Sequence, residues 1–253
     1  MKKILLILAA LISNVCYSQV NIESFRDGAK KSGFFGESKI NVHFQRGNVN
    51  SQIYEIKKDL HYKINIHHIL LKGSLNKAFQ DKELYKSSAF SHFRYTIMLH
   101  EYLGYEIFTQ TQYDKFRDLS LRQLNGGGLR IEKEIKSKYK FNISSGIGVM
   151  ADHEQLSYMT TTKARITSYF TLIKNFNADN SSFISIVTYY QPLLFDYTDY
   201  RINSEINLRS SIVNQKLFKI GLNTSLNYLY DTVPAEKVKN TDIILKTGLA
   251  VSW

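Results

Sequence analysis

Cysteine, proline and long apolar runs are all scarce in this chain, and each scarcity excludes a class of structure. Cysteine occurs once, at Cys16, which excludes a disulfide framework or a site with several cysteine ligands. The chain has 2 prolines, and because proline removes a backbone hydrogen-bond donor, long uninterrupted strands are favoured. No apolar run reaches the roughly 18 residues of a membrane-spanning helix. Two possibilities remain: a soluble protein, or a closed β-barrel, which satisfies its backbone hydrogen bonds within lipid.

The first residues follow the order of a secretory signal peptide. Lys2 and Lys3 precede an apolar run over residues 4–12, and small or polar residues follow up to Ser18. The run is too short to cross about 30 Å of hydrocarbon as a helix. We therefore expect cleavage after Ser18 and export of the rest of the chain.

The positive charge of the chain shows no nucleic-acid pattern. The formal net charge is +11, but lysine and arginine are dispersed and form no basic block. In an exported chain this distribution indicates a surface that faces water and anionic lipid head groups, and we expect no nucleic-acid partner. Tyrosine is abundant, at 17 residues, as expected where a barrel wall meets the membrane–water interface.

Apolar and polar side chains alternate with a period of two over several long segments. In residues 200–212, apolar or small residues occupy the even positions, and polar residues such as Arg201 and Glu205 occupy the odd ones. Residues 119–135 keep one alternation throughout, with polar residues such as Arg122 and Glu132 at the even positions. Such alternation predicts strands; those that cross a membrane need about 9 to 11 residues, whereas strands of globular proteins average about five or six. Full charges on the polar face favour a wet barrel interior behind an apolar exterior.

These patterns predict an all-β fold, a single transmembrane antiparallel up-and-down β-barrel of about twelve strands. The strands are predicted near residues 36–46, 50–58, 62–71, 89–100, 103–113, 117–135, 138–150, 163–174, 181–191, 199–213, 216–230 and 241–253. Long outward loops are expected at 72–88, 151–162, 192–198 and 231–240, with tight turns at the opposite end. We interpret Gly126-Gly127-Gly128 as a bulge or a close-packed kink, because no lysine follows as in a phosphate-binding loop.

The chain finishes on an aromatic residue at the end of a predicted strand. Apolar side chains recur with a period of two up to the last position: Ile243, Leu245, Leu249, Val251 and Trp253. This tail resembles the insertion signal of bacterial outer-membrane barrels, in which Gly248, Val251 and Trp253 are the signal residues. We expect the outer membrane of a Gram-negative bacterium as the location, with its lipid, its lipopolysaccharide and the barrel assembly machinery as partners. The predicted segments are a signal peptide (1–18), a periplasmic lead-in (19–35) and an outer-membrane β-barrel (36–253).

Several motifs match a family pattern by their order and spacing. Tyr105-Glu-Ile-Phe-Thr-Gln-Thr-Gln-Tyr-Asp-Lys-Phe116 is an aromatic-rich strand with glutamine and aspartate, and Arg122-Gln-Leu-Asn-Gly-Gly-Gly-Leu-Arg130 follows it. Three shorter motifs accompany them: Gly47-Asn48, Tyr189-Tyr-Gln-Pro192 and Tyr230-Asp-Thr-Val-Pro234. Over residues 36–253 the chain resembles the salt-induced outer-membrane proteins catalogued as domain of unknown function 481. The resemblance implies an outer-membrane barrel without an established activity, and it alone supplies a link to osmotic or acid stress.

The histidines and their neighbours give no catalytic pattern. A serine nucleophile needs a histidine within hydrogen-bond reach, but Ser91 and His92 are adjacent in a predicted strand and face opposite ways. His153, beside Asp152 and Glu154, is expected in a solvated loop. No spacing of ligand residues predicts a metal site. We therefore expect no catalytic residue, no metal, no cofactor and no enzymatic activity.

Charged and amide side chains share the inward face of the predicted strands. The candidates for lining the interior are Glu106, Gln110, Asp114, Arg122, Arg130, Glu132, Arg165, Arg201, Glu205 and Arg209. Two roles remain open for them. Opposite charges can cross-link the strands and plug the interior, or rings of charge can select ions or small solutes in a narrow pore. Barrels of about eight strands fill their interior and porins of about 16 leave a channel, so a size of about twelve does not decide between these roles.

The sequence thus predicts a monomeric outer-membrane barrel with a structural or envelope-stress role, or with a narrow pore for small solutes or ions. The alternative is an exported soluble β protein that binds a small ligand. An outer-membrane hydrolase is a further alternative.

Overall fold

Twelve antiparallel strands close into one barrel in the computed structural model, which describes residues 32–45, 51–81, 83–135, 141–177, 181–215, 217–235 and 238–253. The strands are β1 (Gly33–Gln45), β2 (Ser51–Ile64), β3 (His67–Gln80), β4 (Glu83–Met98), β5 (Leu103–Asp114), β6 (Leu119–Ile135), β7 (Phe141–Leu156), β8 (Thr160–Asn175), β9 (Phe183–Pro192), β10 (Tyr200–Asn214), β11 (Lys219–Asp231) and β12 (Thr241–Ser252). The predicted fold class and strand number are confirmed. The predicted signal peptide, residues 1–18, lies outside the described residues. Within the described ranges, no helix is long and apolar enough to cross a membrane.

The strands are connected at both ends of the barrel. What we call the terminal end holds the start of β1, the end of β12 and the turn at 65–66. The distal end holds the connection at 193–199 and the described residues 232–235 and 238–240. These two agree with the loops predicted at 192–198 and 231–240.

Alternate residues of each strand face the interior and the exterior. In β10, Arg201, Asn203 and Glu205 are buried inside, whereas Ile206 and Leu208 are exposed outside. The pleat of a strand imposes this period of two. Because the wall is closed, the polar face of the strand lies inside, as its sequence predicts.

The exposed side chains of the outer wall form three levels. Aromatic residues at the terminal end form a terminal girdle: Phe34, Tyr62, Tyr105, Phe176, Phe218 and Trp253. Aromatic residues at the other end form a distal girdle: Tyr54, Tyr85, Tyr113, Tyr158, Tyr190 and Tyr228. Aliphatic residues lie between the girdles: Ile40, Ile56, Leu75, Ile107, Leu129, Ile147, Leu208, Leu226 and Leu245. The outer wall thus has an apolar belt bounded by two aromatic girdles.

The outward loop predicted at 72–88 is wrong. β3 continues to Gln80 and β4 begins at Glu83, so most of this segment is strand. Polar residues of the segment, such as Asn76, face the interior of the barrel, so a polar composition does not mark a loop here. A register shift near the end of β3 also breaks the alternation on which the prediction depends.

The outward loop predicted at 151–162 is wrong as well. β7 continues to Leu156 and β8 begins at Thr160. His153 therefore lies in a strand rather than in a loop, with Nδ1 of the histidine 2.8 Å from Oγ1 of Thr162 on β8. The alternation of β7 continues through charged residues, and this is the signal that the loop prediction overlooked.

β6 departs from its predicted single parity at its first residues. A register shift between Leu119 and Leu121 turns Leu119 inward, where it is buried. The triple-glycine run belongs to the regular part of the strand. A Cβ atom on Gly128 would lie 2.3 Å from the carbonyl oxygen of Ile147 and 2.6 Å from Cα of Gly148. Of the two interpretations of this run, close packing is confirmed, because only glycine lets the β6 and β7 backbones approach so closely.

Candidate functional site in the barrel interior

The predicted interior residues all lie on inward-facing positions. They are Glu106, Gln110, Asp114, Arg122, Arg130, Glu132, Arg165, Arg201, Glu205 and Arg209, of which Glu132 is partly exposed and the others are buried. The structure does not bring them into one ring. Most belong to three groups: a network at the distal end, a constriction, and the junction of β12 with β1. Gln110 lies outside these groups, with Oε1 3.1 Å from Nδ1 of His92, and Asp114 lines a cavity.

Charged residues of five strands and one loop form what we call the distal network. Its members are Arg122, Asp152, Glu154, Lys163, Arg165, Asp199, Arg201 and Asp231. Nε of Arg122 donates to Oδ1 of Asp152 at 2.9 Å, and Nε of Arg165 donates to Oδ2 at 3.1 Å. Nη1 of Arg201 donates to the same Oδ2 at 2.8 Å. Three guanidinium groups therefore share one carboxylate that is 1% exposed.

Two further acidic residues complete the surroundings of Arg201. Its Nη2 donates to Oε2 of Glu154 at 3.0 Å, and its Nε donates to Oδ2 of Asp231 at 2.8 Å. Oε1 of Glu154 also lies 3.1 Å from Nε of Arg122. Such multiple pairing is required, because an unpaired buried charge is strongly destabilising.

Asp199 connects the network to the loop between β9 and β10. Its carboxylate accepts hydrogen bonds from Nη2 of Arg165 at 2.9 Å and from Nζ of Lys163 at 2.8 Å. Burial opposes the ionisation of Asp199, but these two hydrogen bonds hold its pKa below the usual range. The network as a whole pairs its cations with an equal number of carboxylates and carries no net charge.

Sequence reasoning found the arginines of the distal network and missed its carboxylates. Asp152 and Glu154 fell in the wrongly predicted loop at 151–162. Their even positions continue the inward parity of Met150 in β7, which is the signal that could have revealed them. Asp199 opens the strand predicted at 199–213 and shares the odd, inward parity of Arg201, which is the signal that could have revealed it.

A second group of interior residues forms what we call the constriction. Its members are Leu70, Arg94, Glu106, Arg130, Tyr169, Val187 and Tyr189. Glu106 accepts hydrogen bonds from Nη1 of Arg94 at 3.2 Å and from the hydroxyl of Tyr169 at 2.8 Å. Nη1 of Arg130 donates to that hydroxyl at 2.9 Å, and its Nε donates to Glu132 at 2.9 Å.

The apolar part of the constriction crosses the whole interior. Leu70 of β3 packs in one buried cluster with Tyr169 of β8 and with Val187 and Tyr189 of β9. In a ring of twelve strands, β3 and β9 are opposite each other. Arg94 of β4 likewise reaches across, with its guanidinium carbon 5.8 Å from the centre of the Tyr169 ring. Side chains of opposite walls therefore meet in the interior at this level.

Two of the cavities in the interior are small. One of about 40 Å³ adjoins the constriction and is lined in part by Gln110, Gln191 and Asn203. The other, of about 60 Å³, is lined in part by Asn76 and Asp114. Both linings combine polar with apolar side chains.

The third group lies at the seam, the junction of β12 with β1. Four residue pairs join the strands, from Glu37–Ser252 to Ile40–Leu249. Two backbone hydrogen bonds between Gly36 and Trp253, of 3.1 and 3.3 Å, extend this pairing at the terminal end. Beyond Ile40 both strands continue toward the distal end, but the described residues show no further pairing between them.

Interior side chains bridge the seam. Arg209 of β10 donates to Glu37 of β1, and Nζ of Lys246 on β12 donates to Oε1 of Glu55 on β2 at 2.8 Å. Nδ2 of Asn41 also donates to Glu55, at 2.8 Å. The Arg209–Glu37 and Lys246–Glu55 pairs step over the junction and connect strands that are not neighbours, whereas Asn41 joins β1 to its neighbour β2. Glu205, in the same region, accepts from Asn207 beside it.

The residues of the predicted insertion signal all lie at the seam. Val251 and Trp253 are exposed on the outer wall, and the Trp253 ring lies over Gly36. Gly248 faces inward, where Oδ1 of Asn41 occupies the place that a Cβ atom would take, only 1.7 Å away. Their role in insertion stays a prediction.

The structure places the described histidines that were considered as parts of a catalytic or metal site. Ser91 is exposed and His92 is buried, so the two face opposite sides of the wall. Nδ1 of His61 lies 3.1 Å from Nε2 of His68 in the interior. In the part of the chain that the structure describes, no group of three or more histidine, cysteine, aspartate or glutamate residues could hold a metal ion.

Several solved structures are similar to this barrel at low sequence identity. The NanC porin is 12% identical, with a TM-score of 0.47, over 87% of this chain and 99% of that chain. LpxR from Salmonella typhimurium is 9% identical, with a TM-score of 0.48, over 87% of this chain and 99% of that chain. The translocator domain of the autotransporter NalP from Neisseria meningitidis is 8% identical, with a TM-score of 0.40, over 100% of this chain and 93% of that chain. None of these similarities assigns an activity to this chain.

The sequence itself matches one family. No curated protein matches it. The profile of the family described as "Protein of unknown function, DUF481" matches residues 39–253, and the resemblance found in the motifs is thereby confirmed. The chain belongs to the DUF481 family.

Proposed function

We propose that this protein is a β-barrel of the Gram-negative outer membrane with an occluded interior and a structural role in the envelope. The observation that carries the proposal is the cluster of Leu70, Tyr169, Val187 and Tyr189, which joins opposite walls. A wall that is braced from inside is suited to mechanical support rather than to free passage of solutes.

The outer wall supports the membrane location. An apolar belt between two girdles of aromatic residues is typical of transmembrane barrels, and exposed residues of this wall form such a belt and two such girdles. Membrane fractionation and a heat-modifiability gel test the location. A membrane barrel stays folded in cold detergent and changes its mobility on heating. Recovery in the soluble periplasm would instead favour the alternative of an exported soluble protein that binds a ligand.

The interior charges support occlusion over ion selection. A selective ring presents charges to the passing ion, whereas the arginines of the distal network are already paired with Asp152, Glu154, Asp199 and Asp231. The ion pairs and the constriction therefore obstruct the interior at two successive levels.

Conductance in planar bilayers tests the occlusion. The wild-type barrel should insert without a steady current. The double variant Leu70→Ala, Tyr189→Ala should conduct, because both changes remove side chains that join opposite walls. Leu71→Ala, an outward-facing neighbour on the same strand, is the matched control and should stay silent. A steady wild-type current would refute the occluded barrel.

The second candidate function is a narrow pore for small solutes or ions. The cavity that adjoins the constriction favours it, since this space lies beside the side chains that cross the interior. Transport through such a pore should appear as a wild-type current that the larger side chain in Leu70→Trp abolishes. The envelope-stress role stays a proposal from family resemblance, and comparing growth of a deletion strain at low and high salt tests it.

A further inference from the structure

Cross-strand pairing places a row of polar or small residues across one half of the outer wall. The pairs Ser38–Lys58, Lys58–Gly73, Gly73–Ser91, Ser91–Thr111 and Thr111–Gln123 connect β1 to β6 without a gap. We call these residues the polar stripe. All of them have outward parity, and Lys58, Ser91, Thr111 and Gln123 are exposed. The row continues through His153 to Thr162.

Lys58 is the charged member of the stripe and lies deep in the apolar belt. On β2 it stands midway between Tyr54 of the distal girdle and Tyr62 of the terminal girdle. Its outward neighbours along the strand are Ile56 and Leu60. A lysine on the lipid-facing wall at mid-height is unfavourable, so an ionisable residue at such a place indicates a functional site.

The other outward lysines on the strands lie at the level of the girdles. Lys133 is 5.9 Å from the ring centre of Tyr102, and Lys174 is 5.4 Å from that of Phe141. Lys77 pairs across strands with Tyr54. These three reach the interface easily, whereas Lys58 does not.

No anion on the described wall can pair with Lys58. The outward positions of the described strands between the girdles include no aspartate or glutamate, and Lys58 makes no ion pair or hydrogen bond there. A second copy of the chain brings the same wall and therefore no counter-charge. The partner must supply an anion of its own within the membrane.

The direction in which the stripe runs along the wall indicates the source of that anion. Strands of a membrane barrel tilt by about 35–45°, so a row perpendicular to them climbs along the wall. Lys58 lies in the middle of β2, while Gln123 and Thr162 lie near the distal ends of β6 and β8. The stripe is thus a polar track from the distal rim, where lipid head groups are, to the middle of the belt.

We propose that the polar stripe binds the phosphate head group of an anionic lipid, with Lys58 as its charge partner. The hydroxyls of Ser91 and Thr111 and the amide of Gln123 offer hydrogen-bond donors to phosphate and glycerol oxygens. Gly73 and Ser38, on either side of Lys58, leave room for a head group to approach the wall. This proposal rests on the proposed membrane location.

Reconstitution into vesicles of phosphatidylcholine, with and without phosphatidylglycerol, tests the proposal. Native mass spectrometry then counts the phosphatidylglycerol retained on the protein. The wild type should retain it about tenfold more than Lys58→Met does, as expected for the loss of one charge-assisted hydrogen bond. Lys133→Met removes one outward lysine away from the stripe and is the matched control, which should retain the lipid like the wild type.

A second variant tests the track itself. Ser91→Leu with Thr111→Leu keeps Lys58 but makes the track apolar, and it should also lose most of the retained phosphatidylglycerol. Added inorganic phosphate should not displace the lipid from the wild type; displacement would assign the site to free phosphate instead. Equal retention by the wild type, Lys58→Met and the double leucine variant would overturn the proposal and favour a protein partner. Failure to enter vesicles at all would instead refute the membrane location.

Discussion

The β6–β7 side of the barrel and the β12–β1 seam are joined by different interactions. β6 and β7 pair along their whole length, from Leu119–Leu156 to Ile135–Phe141, and glycines bring their backbones together. The seam has four pairs at the terminal end and the two hydrogen bonds of Trp253. Backbone pairing therefore closes one side, while side chains complete the other.

The difference shows what interior charges do in this protein. On the β6–β7 side, the distal network adds cross-links to a wall that is already paired. At the seam, the pairs Arg209–Glu37 and Lys246–Glu55 connect strands where backbone pairing is short. Equivalent ion pairs are thus accessory on one side and part of barrel closure on the other.

Breaking the distal network should have the largest effect on stability. Asp152→Asn removes the carboxylate shared by Arg122, Arg165 and Arg201, and the loss of one partner of buried ion pairs costs about 3–5 kcal/mol. Urea unfolding in detergent should show this decrease in the free energy of unfolding. Asp196→Asn, in the exposed part of the same distal loop, is the control and should change it by less than about 0.5 kcal/mol. Similar losses in both variants would contradict a special role for Asp152.

Replacing one glycine by alanine on each side compares how tightly the β6–β7 side and the seam are packed. Gly128→Ala should destabilise by about 1–3 kcal/mol, because its Cβ would meet the backbone of β7 at 2.3 Å. Gly248→Ala should cost less, since Asn41 can swing away at the loss of its hydrogen bond to Glu55. Gly73→Ala is the control, because its added Cβ atom would lie 3.9 Å from the nearest atom, the carbonyl oxygen of Phe90. Thermal unfolding should give this order, and a reversed order would show that the seam is the rigid side.

Removing a seam bridge should act locally. Lys246→Met takes one cation from Glu55, which keeps Lys57 at 3.3 Å and Asn41, so we expect a loss of about 1–2 kcal/mol. Hydrogen exchange should become faster in residues 241–248 of β12 and stay unchanged in β7. Uniform acceleration along the barrel would contradict local closure by this pair.

The smallest expected effect on stability is that of acid, which acts by protonating Asp199. Its folded pKa is below the usual value, so its stabilising contribution is present above the unfolded pKa of about 3.9 and is lost as the pH falls through the folded pKa. We expect this contribution to be smaller than the effects of the variants above. Asp199→Asn should lower stability at neutral pH and flatten its decline below about pH 4. An unchanged pH profile would remove Asp199 from the network.

The sequence predicted the features that depend on the alternation of apolar and polar residues along a strand. It missed those that depend on how the barrel closes. The inward face of β10 was predictable because each polar residue there follows the period of two. Asp152 was missed since charged residues after an apolar run suggested a loop. The meeting of Leu70 with Tyr189 was not predictable, because it depends on the shape that twelve strands adopt when they close. The short pairing of the seam depends on the same closure.

The cluster that spans the interior has a consequence for the order of assembly. Leu70 and Tyr189 are far apart in the chain, and such distant contacts form slowly because a long loop must close first. They can meet only once the intervening strands have curved into a wall. We therefore expect the outer wall to form before the interior side chains pack. A newly inserted barrel should then pass through a short-lived state with an unpacked interior.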